Sequence, residues 1–254
     1  MVALAQIPSG AHVLDVATGR GAVLFPAAEC VGPRGHVVGI DLAETMVLET
    51  AQELTSLGVP NAEVRHMDAE DLQFPDAVFD CVLCGFAIFF FSQPYRTLSE
   101  FRRVLKPDGC IGVTTFDESF DAQWKWFDEL VDAYLPPQPE VTQPTQSHSP
   151  PQPVFDKPEG LEALMTATGF AHIQVTSEAR EFVYADEEEF WSTLWSHGTR
   201  AKLEKIEEAT GPQGLLRFKA DVFEGLQALK QADGIHQLFP VLFTLATRSL
   251  ARGK

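Results

Sequence analysis

The chain is poor in positive charge. Its 254 residues carry 19 lysines and arginines against 36 aspartates and glutamates, a formal net charge of −17. Such a field repels phosphate backbones and anionic lipid surfaces, which argues against a nucleic-acid substrate and against acidic membranes. Long apolar runs are missing as well. The longest, Gly85 to Phe91, falls far short of the roughly 18 residues that mark a membrane span. No basic stretch precedes an apolar one near Met1, so nothing there reads as a secretory signal. Cysteine is scarce, confined to Cys30, Cys81, Cys84 and Cys110. Cys81 and Cys84 have C-x-x-C spacing, but they fall in an apolar strand, where residues three apart point to opposite faces. That disfavours a shared metal or a mutual disulfide. Buried thiols in a reducing, cytoplasmic compartment are the expectation.

What is present is an alternation of apolar runs and helical periods. Strands are expected at 12–17, 36–40, 62–66, 79–85 and 110–116, with helices at 21–30, 43–57, 93–105 and 120–134. Strands separated by helices imply right-handed crossovers and a parallel sheet. Residues 136–153 are rich in Pro, Gln, Ser and Thr and read as an extended connector, or as a flap over the ligand end of the sheet. Beyond them come a helix at 158–168, a strand at 173–176, helices at 187–195, 200–209 and 215–230, and a last strand at 240–246. The expected organisation is a nucleotide-binding core at 1–135, a linker at 136–157, and a remainder at 158–254 that holds a helical cap at about 186–235.

The chemistry concentrates near the start. Val13-Leu14-Asp15-Val16-Ala17-Thr18-Gly19-Arg20-Gly21 is an apolar strand, an acid and a glycine turn, and Val37-Val38-Gly39-Ile40-Asp41 is a second strand ending in an acid. This unit is how an open parallel sheet holds an adenosyl group, the second acid accepting ribose hydroxyls. Asp15 separates candidate cofactors. A carboxylate inside the first strand adds nothing to a pyrophosphate cradle, but it suits a ligand carrying an ammonium and a sulfonium. Ala17 also stands where a strict G-x-G-x-x-G places its first glycine. A nicotinamide oxidoreductase is therefore the weaker alternative.

Further segments follow in order. They are Asp68-Ala69-Glu70-Asp71-Leu72, Phe79-Asp80-Cys81-Val82, Arg103-Val104-Leu105-Lys106-Pro107-Asp108-Gly109 and Ala167-Thr168-Gly169-Phe170. With the glycine turn they resemble the motifs of class I S-adenosylmethionine (SAM) dependent methyltransferases. The alanine variant of the turn resembles the ubiquinone/menaquinone-type, or type 11, branch. The resemblance implies an α/β, Rossmann-like sheet of seven strands, mostly parallel with the last antiparallel, helices on both faces, and a helical cap inserted between strands six and seven. It implies SAM as cofactor, S-adenosylhomocysteine as product and no metal. Carried over by position, Asp15, Ala17, Thr18, Gly19 and Gly21 surround the methionine part, and Asp41 takes the ribose. Leu42 and Met46 pack at the adenine, Asp68 and Ala69 meet its edge, and Cys84 and Gly85 offer backbone to the amino group. Asp108 replaces a family glycine, and Gly109 is expected to supply the positive φ at that turn.

Two departures matter. Strand one arrives almost at once, which leaves open what closes the cofactor pocket. No Asn-Pro-Pro-Tyr follows strand four, so modification of bases or amides is not expected. Phe86, Phe89 and Phe90 would make an acceptor pocket apolar. Trp191 and Trp195 share a helix face and either join that pocket or anchor the cap. His197 stands as candidate proton acceptor or as a histidine at a helix end. The expected activity is methyl transfer to a small, fairly apolar acceptor, at oxygen before carbon or nitrogen. The alternative is a SAM- or S-adenosylhomocysteine-binding protein that does not transfer. The expected state is a cytoplasmic monomer or homodimer.

Overall fold

The structure, a computed structural model, describes residues 1–136, 153–196 and 199–249. The proline-rich stretch 137–152 and His197 lie outside the described residues. The chain divides into two compact units that interleave in sequence. One is Met1–Asp117, Gln152–Glu178 and Val241–Lys254, and the other is Glu118–Pro151 and Ala179–Pro240.

The chain forms one sheet, most of whose strands lie in the first unit. Strands β1 (His12–Val16), β2 (His36–Asp41), β3 (Ala62–His66), β4 (Phe79–Gly85) and β5 (Leu105–Phe116) alternate with helices α1 (Leu24–Val31), α2 (Glu44–Leu57) and α3 (Pro94–Val104). Helix α5 (Pro158–Ala167) precedes β6 (Phe170–Tyr184), and the chain returns through β8 (Gly234–Arg248). The strand order is β3-β2-β1-β4-β5-β8-β6, with a two-residue strand β7 (Lys230–Gln231) added beside β8 to make eight. The pairings β1–β2, β1–β4, β2–β3 and β4–β5 are parallel. Strand β8 inserts antiparallel beside β5, Cys110 opposite Thr247 through Phe116 opposite Val241.

Strand alternation divides the core. Leu14, Val16, Val38, Ile40, Val82 and Cys84 point to one face, where Leu98 and Phe101 of α3 cover them. Val13, Val37, Cys81 and Leu83 point to the other, under Leu24 and Ala27 of α1 and Leu54 of α2. Burial of strands on both faces is why they read as continuous apolar runs. Two resemblance motifs meet at the base of this sheet: Asp80 accepts the His12 N–H at 2.8 Å and lies 2.8 Å from the Lys106 ammonium.

The opposite faces of Cys81 and Cys84 follow the strand period. Cys81 is nevertheless not a free thiol. It sits directly across from Cys110 of β5 in register, Cα atoms 4.6 Å apart, and the two are disulfide-bonded. Spacing within one strand is blind to such a neighbour in the next. A second correction concerns the turn before β5. Asp108, not Gly109, takes the left-handed conformation, at φ 60°. Gly109 is needed for closeness instead: a Cβ there would lie 2.9 Å from the Lys106 carbonyl and 3.0 Å from that of Asp80.

The second unit gathers α4 (Glu118–Tyr134), α6 (Glu187–Ser196) and α7 (Arg200–Leu226). Its core is aromatic, with Phe127, Phe190, Trp191 and Phe218 buried among Val222, Leu203 and Ile206. The break expected near 210 is a kink inside α7, where Gly211 has φ 71° just before Pro212. Among the described residues no helix is long and apolar enough to cross a membrane.

Candidate functional site

The carboxyl ends of β1, β2 and β4 carry the candidate site, in the crevice where sheets of this kind take ligands. The turn after β1 is tightly wound. Ala17, Gly19 and Gly21 all have positive φ, at 53°, 51° and 80°. At Gly21 a Cβ would also fall 2.7 Å from the Phe25 ring, so glycine is required there on two counts. The turn is fastened to β2 and α2. The Thr18 N–H donates to the Ile40 carbonyl at 2.9 Å, the Gly19 N–H donates to Asp41 Oδ2 at 2.8 Å, and the buried Thr50 hydroxyl donates to the Gly19 carbonyl at 2.7 Å. Asp41 Oδ1 accepts the Ala43 N–H at 2.9 Å. The acid that ends β2 thus shapes the glycine turn and still has lone pairs for a diol.

Asp15 is 1% exposed and shares its face of the strand with Val13. Burial pushes its carboxyl up to about 7, and the nearby Asp41 charge adds to this. The Thr18 hydroxyl, which donates to Asp15 Oδ2 at 2.6 Å, works in the opposite direction. A buried acid without a cation is what an ammonium-bearing ligand would complete. Cys84, on the opposite face of the sheet, is fully buried too, and burial with the Asp15 charge nearby pushes the thiol up.

A cavity of about 390 Å³ opens at the ends of β1 and β2. Of the expected cofactor residues it brings together Ala17, Asp41, Leu42, Asp68 and Ala69. It adds Glu70, a motif residue to which the resemblance gave no role, and Ala87, Phe91 and Ser92, to which no motif pointed. Phe90, expected among acceptor residues, lines this cavity too. Asp15, Thr18, Gly19, Gly21, Cys84 and Gly85 are not among its lining residues, and neither is Met46, which is 37% exposed on α2. The Asp68 carboxylate is held by the Glu70 N–H, which donates to Oδ1 at 2.8 Å.

Beside the cavity, β4 ends in a strained turn. Phe86 adopts φ 52°, unusual for a bulky residue. Its N–H donates to both the carbonyl and the hydroxyl of Thr114 on β5, each at 3.1 Å. The Phe86 ring lies 4.9 Å from Phe116, and Phe89 lies 6.0 Å from Phe116. Phe116, at the end of β5, escaped sequence reasoning because a lone aromatic at a strand end looks like ordinary core. Trp191 and Trp195 belong to the helical unit. Trp191 is buried in its core against Phe218 and under the Lys219 ammonium, with the Trp195 ring 6.3 Å away.

Comparison with known proteins bears on the family and the fold. Residues 13–109 match the family described as a methyltransferase domain. The chain is 33% identical over 239 residues to nocamycin O-methyltransferase of Saccharothrix syringae, covering 92% of this chain and 84% of that protein. It is 33% identical over 132 residues to demethylmenaquinone methyltransferase of Listeria monocytogenes, covering 52% of this chain and 54% of that one. The fold is similar to that of a putative methyltransferase from Bacillus halodurans, with a TM-score of 0.63 at 19% identity over 98% of this chain and 97% of that one. The chain belongs to the S-adenosylmethionine-dependent methyltransferases.

Proposed function

We propose that the chain methylates oxygen on a small, fairly apolar acceptor, and that the residues around the cavity hold the cofactor for this transfer. The observation that carries the reading is the convergence of Ala17, Asp41, Leu42, Asp68 and Ala69 on one cavity at the strand ends. The residues fit the group. Asp41 retains acceptor capacity for the two ribose hydroxyls. Asp68 can accept from the adenine amino group beside the Ala69 backbone. We assign the turn from Ala17 to Gly21, with Thr18, to the methionine part, and buried Asp15 to the charge that balances its ammonium. Cys84 and Gly85 offer backbone to the amino group.

When bound, SAM supplies an electrophilic methyl on a sulfonium whose departure needs no acid. The protein therefore has to position the acceptor and exclude water. Phe86, Phe89 and Phe116 form an apolar rim that suits a flat, hydrophobic acceptor. We assign Phe90 to the adenine side of that rim. Trp191 and Trp195 remain our candidates for further acceptor contacts, and His197 for the base that takes the hydroxyl proton. The choice of oxygen is supported by the relative of nearly full length, which is named an O-methyltransferase.

The test is incubation with methyl-labelled SAM and a panel of phenols, enols, carbon acids and amines of similar size. Label on the oxygen of an apolar phenol or enol is the expected result. Transfer confined to amines, or to polar acceptors, would overturn the reading.

A further inference from the structure

Glu70 stands between the two walls of the cofactor cavity and touches both. On one wall its N–H donates to Asp68 Oδ1 at 2.8 Å, which fixes the orientation of the carboxylate expected to meet the adenine amino group. On the other its carboxylate accepts the Ser92 N–H at 2.7 Å, the Gln93 N–H at 3.2 Å and the Ser92 hydroxyl at 2.9 Å. Ser92 directly follows Phe90 and Phe91, and all three line the cavity along with Asp68 and Ala69.

The arrangement has a local reason. Helix α3 has no side-chain cap of its own at Gln93, and Pro94 opens it without an N–H. The Glu70 carboxylate serves in place of that cap from a different loop, with its negative charge at the positive end of the helix. Between β3 and β4 the chain forms no helix, so the loop carrying Asp68 has little regular structure of its own. Its far end is tied to α3 as well: Glu100 accepts the Leu72 N–H, and Arg103 donates to the carbonyls of Leu72 and Phe74.

We propose that Glu70 is a positioning residue for the adenine. By bridging Asp68 to the Ser92–Gln93 segment, it sets the width of the cavity and the aim of Asp68, and so the preference for an amino-bearing purine. The inference rests on the cofactor reading above.

The experiment compares binding of S-adenosylhomocysteine and S-inosylhomocysteine, whose purine carries a carbonyl in place of the amino group. It uses calorimetry on the wild type, Glu70→Ala, Glu70→Gln and Ser92→Ala, at a temperature where melting curves show each protein fully folded. The wild type should prefer the adenine compound by about tenfold or more. In Glu70→Ala that preference should shrink to about threefold or less, with weaker binding of the adenine compound, because removing charge-assisted bonds loosens the loop. Glu70→Gln keeps an acceptor and should recover most of the preference. Ser92→Ala loses only the hydroxyl and should narrow it slightly, and it carries the test if Glu70→Ala does not fold. Loss of stability alone would not move this ratio. An unchanged preference in Glu70→Ala and in Ser92→Ala overturns the proposal. A wild type that binds neither compound overturns the cofactor reading, and the proposal with it.

Discussion

The sheet unit packs mainly on leucine, valine and isoleucine, whereas the helical unit packs on aromatic rings. Val13, Val16, Val37, Val38 and Ile40 lie under the helices of the first. Phe127, Phe190, Trp191 and Phe218 make the centre of the second, and all of the chain's tryptophans, Trp124, Trp126, Trp191 and Trp195, lie in it. The difference follows from what each must do. A sheet covered on both faces needs β-branched side chains with few rotamers, and it fixes the ends of β1, β2 and β4, where the candidate site lies. A small cluster of helices needs volume from few residues, and large rings supply it. The proposed cofactor site is accordingly made of hydrogen-bonding groups on a stiff frame.

The largest effect should come from breaking the aromatic side. Phe218→Ala removes a buried ring that touches Phe127, Tyr134 and Trp191. It should cost about 3–5 kcal/mol in urea unfolding followed by tryptophan fluorescence. SAM affinity of the folded variant should stay within about twofold, because the proposed cofactor residues share no packing partner with Phe218. A large drop in affinity would erase the distinction between the two units.

On the sheet side, Asp41→Ala should weaken SAM about a hundredfold or more, since bonds to a charged acceptor are worth about 1.5–3 kcal/mol each. Circular dichroism should show the fold retained, and unchanged affinity would remove Asp41 from the site. Gly21→Ala comes next. The left-handed turn should cost about 1–2 kcal/mol of stability, and pressure on the Phe25 ring adds to that. The double variant with Phe25→Ala should relieve only the second part, as read from a cycle of unfolding midpoints.

The mildest prediction concerns pH. With its carboxyl pushed up to about 7, Asp15 keeps a proton in the folded protein that the unfolded chain sheds near pH 4. Between those values the folded state holds more protons, so this group's contribution to stability falls as pH rises. Asp15→Asn should flatten that fall in denaturation profiles. A bound ammonium favours the ionised acid, so SAM affinity should rise toward pH 7 by at most about tenfold per pH unit. A flat affinity profile in the wild type would show that Asp15 is already charged.

Much of the sheet unit was legible because its constraints are local. The turn from Asp15 to Gly21, Asp41 at a strand end and the run from Arg103 to Gly109 each encode a backbone shape in residue types. What was not legible depends on pairs distant in sequence. Cys110 meets Cys81 only across neighbouring strands, and Thr50 reaches the Gly19 turn from α2. Glu70 reads as one more acid in an acidic loop until α3 is placed beside it. Phe90 sits in a run of phenylalanines, and only the 3-10 turn Ile88–Phe90 shows that it lines the same cavity as Asp41 and Asp68. In the helical unit the periodicity located the helices, yet it could not show that α4 packs with α7, because an amphipathic face does not name its partner.

The most direct test of the account is a calorimetric titration of the purified chain with SAM and with S-adenosylhomocysteine. Saturable binding of both at one site, at micromolar concentration and lost in Asp41→Ala, is the predicted result. Absence of binding by the folded wild type would contradict the assignment of the cavity at the ends of β1 and β2 as the cofactor site.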